Sequence, residues 1–431
     1  MQQTHRAAAW TIVALLGALL LALTFTLGWV ANDDRGQASS AQGIEDPGPV
    51  VNSNGDVDFS TLKDIVDALL NDYIERDNLD EQQLYEAAIR GMLDSLADAG
   101  TYYIDPATYF EASERLRGSF EGIGASVQED QNNQIVIVRP FDGSPAEAAG
   151  IKSGDVILAV DGDSTDGWTP DQAVLHIRGP KGSTVTLTVK HLDGTTEDLS
   201  IIRDEIKLES VTKTPPGGEL KDAAGNQVTD IQYMRIAEFA DRTPEEVEAV
   251  VAEAQSTKQG LIIDLRGNPG GLLRETVETA DLFLDGGLVL TEVDRDDNRM
   301  THNARAGGPA LTIPIVILMD QFSASGSEVL AAALRDNGRA TIIGKQSFGK
   351  GTVNVSQQLD DGGALFVTIR KWLTPKDVQI DGVGITPDIE VTPGPFDPQY
   401  DPLQDGQIFR AIEHLRDVSA SAQPAPAAAA R

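Results

Sequence analysis

The sequence predicts a multidomain protein of the α/β (α+β) class, with an N-terminal helical region, an inserted β-rich domain and a larger α/β domain with a mixed sheet. Two patterns support this prediction. Residues 118–205 contain short runs rich in Val, Ile and Thr between glycine turns, which indicates a β-rich unit. Residues 206–395 alternate apolar strand-like runs with helical segments, which indicates a sheet packed against helices.

Composition excludes several classes of function. The chain has 431 residues, which suggests about three domains. It has no cysteine, so a thiol nucleophile, a disulfide framework and a thiolate metal site are all excluded. Its five histidines form no paired-ligand pattern, so we expect neither a metal nor another cofactor. The formal net charge of −33 disfavours nucleic acid as a partner, because phosphate binding needs clustered Lys and Arg.

Residues 1–34 predict export. Positions 7–30 carry no charged side chain, and as a helix they would be about 36 Å long, enough to cross a membrane core of about 30 Å. Trp10 and Trp29 lie near the two ends, where interfacial aromatic residues are common. We expect a transmembrane anchor with the rest of the chain outside the cytoplasm, in the cell envelope or periplasm. The alternative is a cleaved signal peptide, in which case the protein is secreted.

The segments outside the two main domains are simpler. Residues 35–57 are rich in Gly, Ser, Asn, Asp and Pro and predict a flexible linker. Residues 58–117 hold apolar positions at helical spacing and predict a helical region that packs into a core. Residues 396–418 predict a short amphipathic helix, and residues 419–431 predict a disordered Ala/Pro tail.

Ser325 and Lys350 are candidates for a catalytic pair. A serine hydroxyl becomes a good nucleophile when a base takes its proton, and a lysine can be that base if its surroundings keep it neutral. From these residues alone, Ser325 could equally cap a helix, and Lys350 could be a surface lysine in a glycine turn. Ser323 and Ser327 are then as good candidates for a nucleophile as Ser325.

The order of strands and helices in residues 118–205 resembles a PDZ domain, and residues 148–162 are the most specific part of the match. In that family a glycine-containing loop offers backbone N–H groups to the C-terminal carboxylate of a peptide, and the peptide adds to the sheet as a strand. The resemblance implies that this binding loop consists of Gly122, Ile123, Gly124 and Ala125.

Three separated motifs, together with this domain, resemble the C-terminal processing (tail-specific) peptidases, which are serine proteases of family S41. The motifs are residues 264–271 (DLRGNPGG), 323–328 (SASGSE) and 344–351 (GKQSFGKG). The resemblance extends over roughly residues 60–395. It implies an endopeptidase that cleaves proteins near their C-termini, with proteins or peptides that have free C-termini as partners. Relatives also suggest a homodimer formed through the N-terminal helices.

The resemblance implies a role for each matching residue. Ser325 corresponds to the nucleophile and Lys350 to the general base. The oxyanion of the reaction is then held by the backbone N–H of Gly326 and by the loop that contains Gly270 and Gly271. Most relatives have alanine where this chain has Gly326, but a backbone donor tolerates either residue.

Two further positions depart from the family or are less specific. The family has a glutamine four residues after the lysine, where this chain has the shorter Asn354. Asn354 either still orients the lysine or leaves the dyad to work alone. Gln358 is not a substitute, because four strand residues place it about 13 Å further on. Arg178 matches an arginine with which some relatives couple the PDZ domain to activity, and a surface salt bridge is the alternative.

Three other interpretations compete with the protease. Residues 60–63 and 210–213 match the SxxK motif of β-lactamases, but no SDN or KTG motif accompanies them. Residues 344–350 mimic a P-loop, but Gly351 replaces the Mg²⁺-binding Ser or Thr and a strand follows. The strongest alternative is a non-catalytic PDZ scaffold that binds C-terminal tails at the membrane, and Asn354 is the feature that favours it.

Overall fold

The computed structural model describes residues 59–422 apart from residues 142, 217, 396 and 398. The chain divides into two units, residues 1–85 and residues 86–431. The predicted membrane segment, the predicted linker and residues 423–431 of the predicted tail lie outside the described residues. Within the part of the chain that is described, no helix is both long and apolar enough to span a bilayer.

The described residues of the first unit are mainly helical. Helix α1 (Ser60–Asp72) precedes a 3₁₀ turn (Arg76–Asn78) and the start of α2 (Glu81–Asp94). The spacing of apolar residues predicted these helices but not their burial, because no residue of α1 or α2 is buried. Leu62 and Ile65 of α1 are 50% and 51% exposed, so the expected core is absent from these two described helices.

In the second unit, α2 is followed by β1 (Tyr102–Ile104) and α3 (Pro106–Arg117). The β-rich domain comes next. It lies between the strands β2 (Ser119–Gly122) and β9 (Asp204–Lys207), which pair antiparallel. The elements of the domain are β3 (Ala125–Glu129), β4 (Ile135–Pro140), α4 (Pro145–Ala148), β5 (Val156–Val160), β6 (Asp163–Ser164), α5 (Pro170–Ile177), β7 (Thr184–Lys190) and β8 (Thr196–Ile202). Its antiparallel sheet has the order β3-β4-β5-β7-β8, with β6 paired to β5. Alternate side chains of β4 and β7 form its core.

The α/β domain follows. Its elements are β10 (Val211–Thr212), β11 (Ile231–Ile236), α6 (Thr243–Thr257), β12 (Gly260–Asp264), α7 (Leu273–Asp281), β13 (Gly287–Asp294), β14 (Arg299–Ala304), β15 (Ile315–Met319), α8 (Gly326–Asp336), β16 (Ala340–Gly344), β17 (Thr352–Gln358), β18 (Ala364–Leu373), β19 (Ile389–Glu390) and α9 (Gly406–Ala422). The central sheet has the order β10-β11-β12-β15-β16-β19, in which β11 to β19 are parallel and β10 is antiparallel. The carboxyl ends of β12 and β15 therefore meet at one edge, where ligand sites of such sheets usually lie.

A second, antiparallel sheet has the order β1-β18-β13-β14, and β17 pairs with β18. The hairpin predicted around residues 353–370 is thus present. In this sheet β1 lies beside β18, so residues from the start of the second unit reach the α/β domain. The predicted fold class, a multidomain α/β (α+β) protein with a β-rich domain inserted before a mixed-sheet domain, is confirmed.

Helix α9 covers one face of the central sheet. Its residues Ile408, Ile412 and Leu415 are buried against side chains of β12, β15 and β16. The helix ends at Ala422, so residues 419–422, which we predicted to be part of the disordered tail, are helical. The hydroxyl of Ser419 donates a hydrogen bond to the carbonyl of Gln259 at 3.1 Å, which ties this last turn to the domain.

A buried ion cluster joins the start of α9 to the loop after β12. The guanidinium of Arg266, 2% exposed, donates to both carboxylate oxygens of Asp264, at 2.8 and 2.6 Å. It also donates to Asp405 at 2.8 Å and to Gln407 at 2.9 Å. Burial alone would raise the pKa of Asp264, but the charge and hydrogen bonds of Arg266 outweigh it and lower that pKa.

This cluster predicts the effect of Asp405→Asn. The amide oxygen can still cap α9, but Arg266 loses one of its two charge partners. We expect the free energy of unfolding in urea to fall by about 2–3 kcal/mol, less than the 3–5 kcal/mol for an orphaned buried charge, because Asp264 remains. The exposed Asp401→Asn is the control and should change stability by less than about 0.5 kcal/mol. Equal effects of the two substitutions would contradict this account.

Candidate active site

Ser325 lies on the sharp turn between β15 and α8, immediately before the first residue of the helix. Its backbone has φ 53° and ψ −114°, a conformation that residues other than glycine rarely adopt. Such a conformation costs about 1–3 kcal/mol and is found mostly at functional sites. The side chain is half-buried and faces a cavity rather than the protein interior.

The structure distinguishes Ser325 from its two neighbours. The hydroxyl of Ser323 is buried and donates to the carbonyl of Leu265 at 2.9 Å. The hydroxyl of Ser327 is buried and donates to the carbonyl of Asn268 at 2.9 Å. Both hydroxyls therefore serve to hold the loop after β12 against the turn. Of these three serines, only Ser325 lines the cavity.

Glycines let the loop after β12 approach Ser325 very closely. A Cβ atom at Gly270 would lie 2.8 Å from the Cβ of Ser325 and 2.9 Å from the nitrogen of Gly326, so no other residue fits. The N–H of Gly270 itself donates to the side-chain oxygen of Asn268 at 2.8 Å. Gly270 thus has a packing role here, and its N–H is not free to hold an oxyanion as the resemblance implied.

Two other backbone N–H groups remain available. Those of Gly271 and Gly326 have no hydrogen-bond acceptor among the residues that the structure describes. On either side of Gly271, the carbonyl of Gly270 and the N–H of Leu272 both bond to Phe239, so the N–H of Gly271 points the other way. A Cβ atom at position 326 would lie 2.6 Å from the hydroxyl of Thr276, so a larger residue there requires Thr276 to move.

Glu328 connects the turn of Ser325 with the segment of Lys350. One carboxylate oxygen accepts hydrogen bonds from the backbone N–H groups of Ser325, at 2.8 Å, and Lys350, at 2.9 Å. The other accepts from the hydroxyl of Ser347, at 2.6 Å, and the N–H of Gly349, at 2.7 Å. Glu328 is fully buried, and burial raises its pKa although the four hydrogen bonds oppose that shift. Sequence reasoning assigned no role to Glu328, although its S-x-x-E spacing from Ser325 is a known capping signal.

Lys350 lies at the start of the β17 hairpin and is half-buried. Its Nζ lies 5.8 Å from the centre of the Tyr102 ring. Burial lowers the pKa of Lys350, and the charges of Asp98 and Glu328 raise it in part, so that the net shift is downward. No hydrogen bond joins Nζ to the Ser325 hydroxyl among the described residues, but both side chains line the same cavity.

That cavity has a volume of about 670 Å³ and a mainly apolar wall. Helix α3 and strand β1 supply much of the wall, and the loop after β12 and the β17–β18 hairpin complete it. The large apolar or aromatic side chains that line it include Tyr102, Ile104, Tyr109, Leu116, Leu272, Phe366 and Trp372. A cavity of this kind accepts an apolar peptide side chain next to Ser325.

Asn354 also lines the cavity, four residues after Lys350, but its side chain has other partners. Its amide nitrogen donates to the carbonyl of Gly100, and its oxygen accepts from the hydroxyl of Thr368 at 3.5 Å. Among the described residues, no hydrogen bond joins Asn354 to Lys350 Nζ. Sequence reasoning did not predict this contact with Gly100, because the partner lies 254 positions away.

The predicted peptide-binding loop of the β-rich domain borders a small cavity of about 60 Å³. Ile123, Gly124 and Ala125 line it on one side and α5 lines it on the other, whereas Gly122 is paired in β2. The carbonyls of Ile123 and Gly124 accept hydrogen bonds from elsewhere in the domain. Their N–H groups have no acceptor among the described residues, as a carboxylate-binding loop requires.

Arg178 lies at the end of α5, beside this small cavity. Its guanidinium forms an ion pair with Glu114 of α3. It also lies over the rings of Phe120, at 4.6 Å, and Phe110, at 5.5 Å. Arg178 therefore joins the β-rich domain to α3, the same helix whose other residues line the large cavity.

The hydrogen bonds of Glu328 predict the effect of Glu328→Gln. An amide nitrogen cannot accept, so two of the four buried donors lose their partner at a cost of about 1–3 kcal/mol each. We expect the free energy of unfolding to fall by about 2–4 kcal/mol, measured by urea denaturation. Glu278→Gln, which removes an exposed ion pair with Arg274, is the matched control and should have an effect below about 0.5 kcal/mol. If Glu328→Gln is as stable as this control, Glu328 does not hold the two segments together.

Comparisons with known proteins agree with this geometry. Residues 230–391 match peptidase family S41, and residues 114–190 match the PDZ domain. The chain is 36% identical over 339 residues to the carboxy-terminal processing protease CtpA of Bacillus subtilis, covering 78% of this chain and 70% of that protein. It is 38% identical over 319 residues to the carboxy-terminal-processing protease of Bartonella bacilliformis, covering 72% and 70%. A solved photosystem II D1 C-terminal processing protease is 28% identical, covers 80% of this chain and 92% of its own, and has a TM-score of 0.42.

The identity to the Bacillus and Bartonella proteases extends over more than two thirds of each chain. The match to family S41 contains both Ser325 and Lys350. The β-rich domain is therefore a PDZ domain, and the chain belongs to the carboxy-terminal processing proteases, serine peptidases of family S41.

Proposed function

We propose that Ser325 and Lys350 form the catalytic dyad of this protease and that the PDZ domain recognises the C-terminus of the substrate. The observation that carries the proposal is the cavity that both side chains line, since Ser323 and Ser327 use their hydroxyls to hold the backbone. The strain at Ser325 and the burial of Lys350 both support it, because neither is needed for a simple helix cap or a turn lysine.

The chemistry follows from the groups in the cavity. Neutral Lys350 accepts the proton of Ser325, whose Oγ attacks the carbonyl carbon of the scissile peptide bond. The N–H groups of Gly326 and Gly271 donate to the oxyanion of the tetrahedral intermediate. The intermediate collapses as Lys350 returns the proton to the leaving amine. Water then attacks the acyl-enzyme with Lys350 again as the base. The ester bond to Ser325 breaks as Lys350 returns the proton to Oγ, and the product acid leaves.

The environment of Lys350 determines the pH dependence of the reaction. Burial lowers the pKa of Lys350, so a larger fraction is neutral near pH 7 than for an exposed lysine. Because the neutral form is the base, activity rises with pH through the pKa of Lys350. The low-dielectric cavity that lowers the pKa also strengthens the hydrogen bonds to the oxyanion.

The cell location and assembly are further proposals, supported by the sequence. The uncharged stretch at residues 7–30 supports an exported protease anchored outside the cytoplasm. The exposed apolar residues of α1 support a homodimer through the N-terminal helices.

The dyad predicts the activity of two variants of the full chain. Ser325→Ala and Lys350→Met should each lower kcat by at least about a thousandfold on a protein with an apolar, unstructured C-terminal tail, because members of a nucleophile–base pair act as a unit. Ser113→Ala, which removes a hydroxyl from the same cavity, and Lys371→Met, which removes an exposed lysine, are the controls and should retain activity. If Ser325→Ala cleaves as fast as the wild type, this protease mechanism is ruled out.

Recognition of chain ends predicts a dependence on the substrate carboxylate. A tail ending in an amide loses charge-assisted hydrogen bonds to the loop at Ile123 and Gly124, each worth about 1.5–3 kcal/mol. We expect kcat/KM to fall about tenfold or more relative to the same peptide with a free C-terminus. Acetylation of the peptide's N-terminus is the control and should have no effect. Equal cleavage of both tails would argue against the PDZ domain as the reader of the terminus.

A further inference from the structure

The segment before β1 packs against the residues that follow Lys350, and it contributes the carboxylate of Asp98. Asp98 accepts hydrogen bonds from the N–H of Gly100, at 2.9 Å, and from the hydroxyl of Thr101, at 2.7 Å. The hydroxyl of Thr101 also accepts a hydrogen bond from the N–H of Thr368 of β18, at 3.1 Å. Asp98 is therefore held in one orientation by its own turn and by β18, the strand that pairs with β17 just after Lys350.

This segment is packed tightly against the residues that follow Lys350. A Cβ atom at Gly100 would lie 2.3 Å from the hydroxyl of Thr368 and 3.0 Å from that of Thr352. Thr352 is two residues after Lys350, and the carbonyl of Gly100 accepts the amide of Asn354. Two residues beyond Gly100, the Tyr102 ring lies below Nζ and stacks on Phe366 of β18, with 4.8 Å between the ring centres.

Among the described residues, the charges of Asp98, on the turn before β1, and Glu328, on α8, raise the pKa of Lys350. The ionisable side chains that line the cavity with Lys350 are Tyr102, Tyr109, Arg117 and Asp241. Glu328 already accepts four hydrogen bonds, two of them from N–H groups of Ser325 and Lys350 themselves. Asn354 is engaged with Gly100, so it is not hydrogen-bonded to the lysine.

We infer that Asp98 is a positioning residue for Lys350: its fixed carboxylate stabilises the ammonium ion that forms when Lys350 takes the proton of Ser325. The inference rests on the proposed function of Lys350 as the base. The physical reason is that a charge developing in an apolar cavity is costly unless an opposite charge is already in place. Burial would raise the pKa of Asp98, but its hydrogen bonds and the charge of Lys350 lower it, so Asp98 is ionised when Lys350 acts.

The substitution that tests this is Asp98→Asn in the full chain. The amide keeps an acceptor for Gly100 but removes the negative charge. The pKa of Lys350 then falls, so the acid limb of the profile of kcat/KM against pH moves to lower pH, while kcat on the plateau decreases severalfold. The matched control is Asp105→Asn, because Asp105 accepts from two N–H groups and a threonine hydroxyl and is not among the charges that shift the pKa of Lys350. In this control the acid limb stays in place.

A second measurement does not depend on catalysis. In a Ser325→Ala background, competitive labelling of Lys350 with acetic anhydride as a function of pH, read by peptide mass spectrometry, gives its pKa directly. Addition of Asp98→Asn should lower that pKa, and Asp98→Glu, which restores the charge, should bring it back toward the starting value. A pKa of Lys350 that is unchanged by Asp98→Asn, or that moves equally with Asp105→Asn, overturns the inference.

The two proposals fail in different ways. If Lys350→Met retains full activity, the dyad is wrong, whereas the labelling still reports whether Asp98 acts on Lys350. If Lys350→Met is inactive but neither the acid limb nor the labelling responds to Asp98→Asn, the dyad stands and the role of Asp98 does not. Should Asp98→Asn unfold at the assay temperature while Asp105→Asn does not, the labelling is repeated with Asp98→Ser, whose hydroxyl can accept from the N–H of Gly100 without a charge, and the pKa of Lys350 should again fall.

Discussion

The carboxylate of Glu328 accepts hydrogen bonds from two separate segments, the turn before α8 and the loop before β17. Four donors and no hydrogen-bond acceptor face it in the described structure, and only the ionised form satisfies all of them. Because the carboxylate is fully buried, neither segment can move without leaving a charge or a donor without a partner. The relative position of Ser325 and Lys350 therefore depends on a carboxylate that accepts hydrogen bonds from the backbone N–H groups of both residues.

The same site also depends on close packing that excludes side chains. At Gly270 a methyl group would lie within 3 Å of the backbone of Ala324 and Gly326, and at Gly326 it would lie 2.6 Å from the hydroxyl of Thr276. Asn268 anchors the loop that carries Gly270, because its amide donates to the carbonyl of Ile236 at 2.9 Å. Beyond it, Arg266 joins this loop to α9. The strained backbone of Ser325 is thus held by a rigid surrounding structure, which is the condition under which such strain persists.

Much of this arrangement could be predicted from the sequence, and the remainder could not for physical reasons. Periodicity located the strands and helices, and the spacing of the glycines and of Ser325 and Lys350 identified the loops at the edge of the sheet. The role of oxyanion donor that the resemblance implied for Gly270 does not fit the structure, because the N–H of Gly270 bonds to Asn268 two residues earlier. The motif itself does not show this hydrogen bond. The charge interaction of Lys350 with Asp98 and the approach of its Nζ to Tyr102 depend on how β1 pairs with β18, a pairing between residues more than 250 positions apart. Local sequence patterns carry no information on such pairings.

The balance of effects at Lys350 shows why a lysine can act as a base in this protein at all. Burial alone would make the amine neutral, but a lysine with a very low pKa is also a weak proton acceptor. Carboxylates alone would keep it charged and unreactive. With Asp98 and Glu328 close to a half-buried amine, each effect limits the other. A substrate that fills the apolar cavity removes water from around the amine. This loss of water strengthens both the desolvation of the amine, which lowers the pKa of Lys350, and the attraction to the carboxylates, which raises it. The pKa that matters for catalysis is therefore that of Lys350 in the substrate-filled cavity.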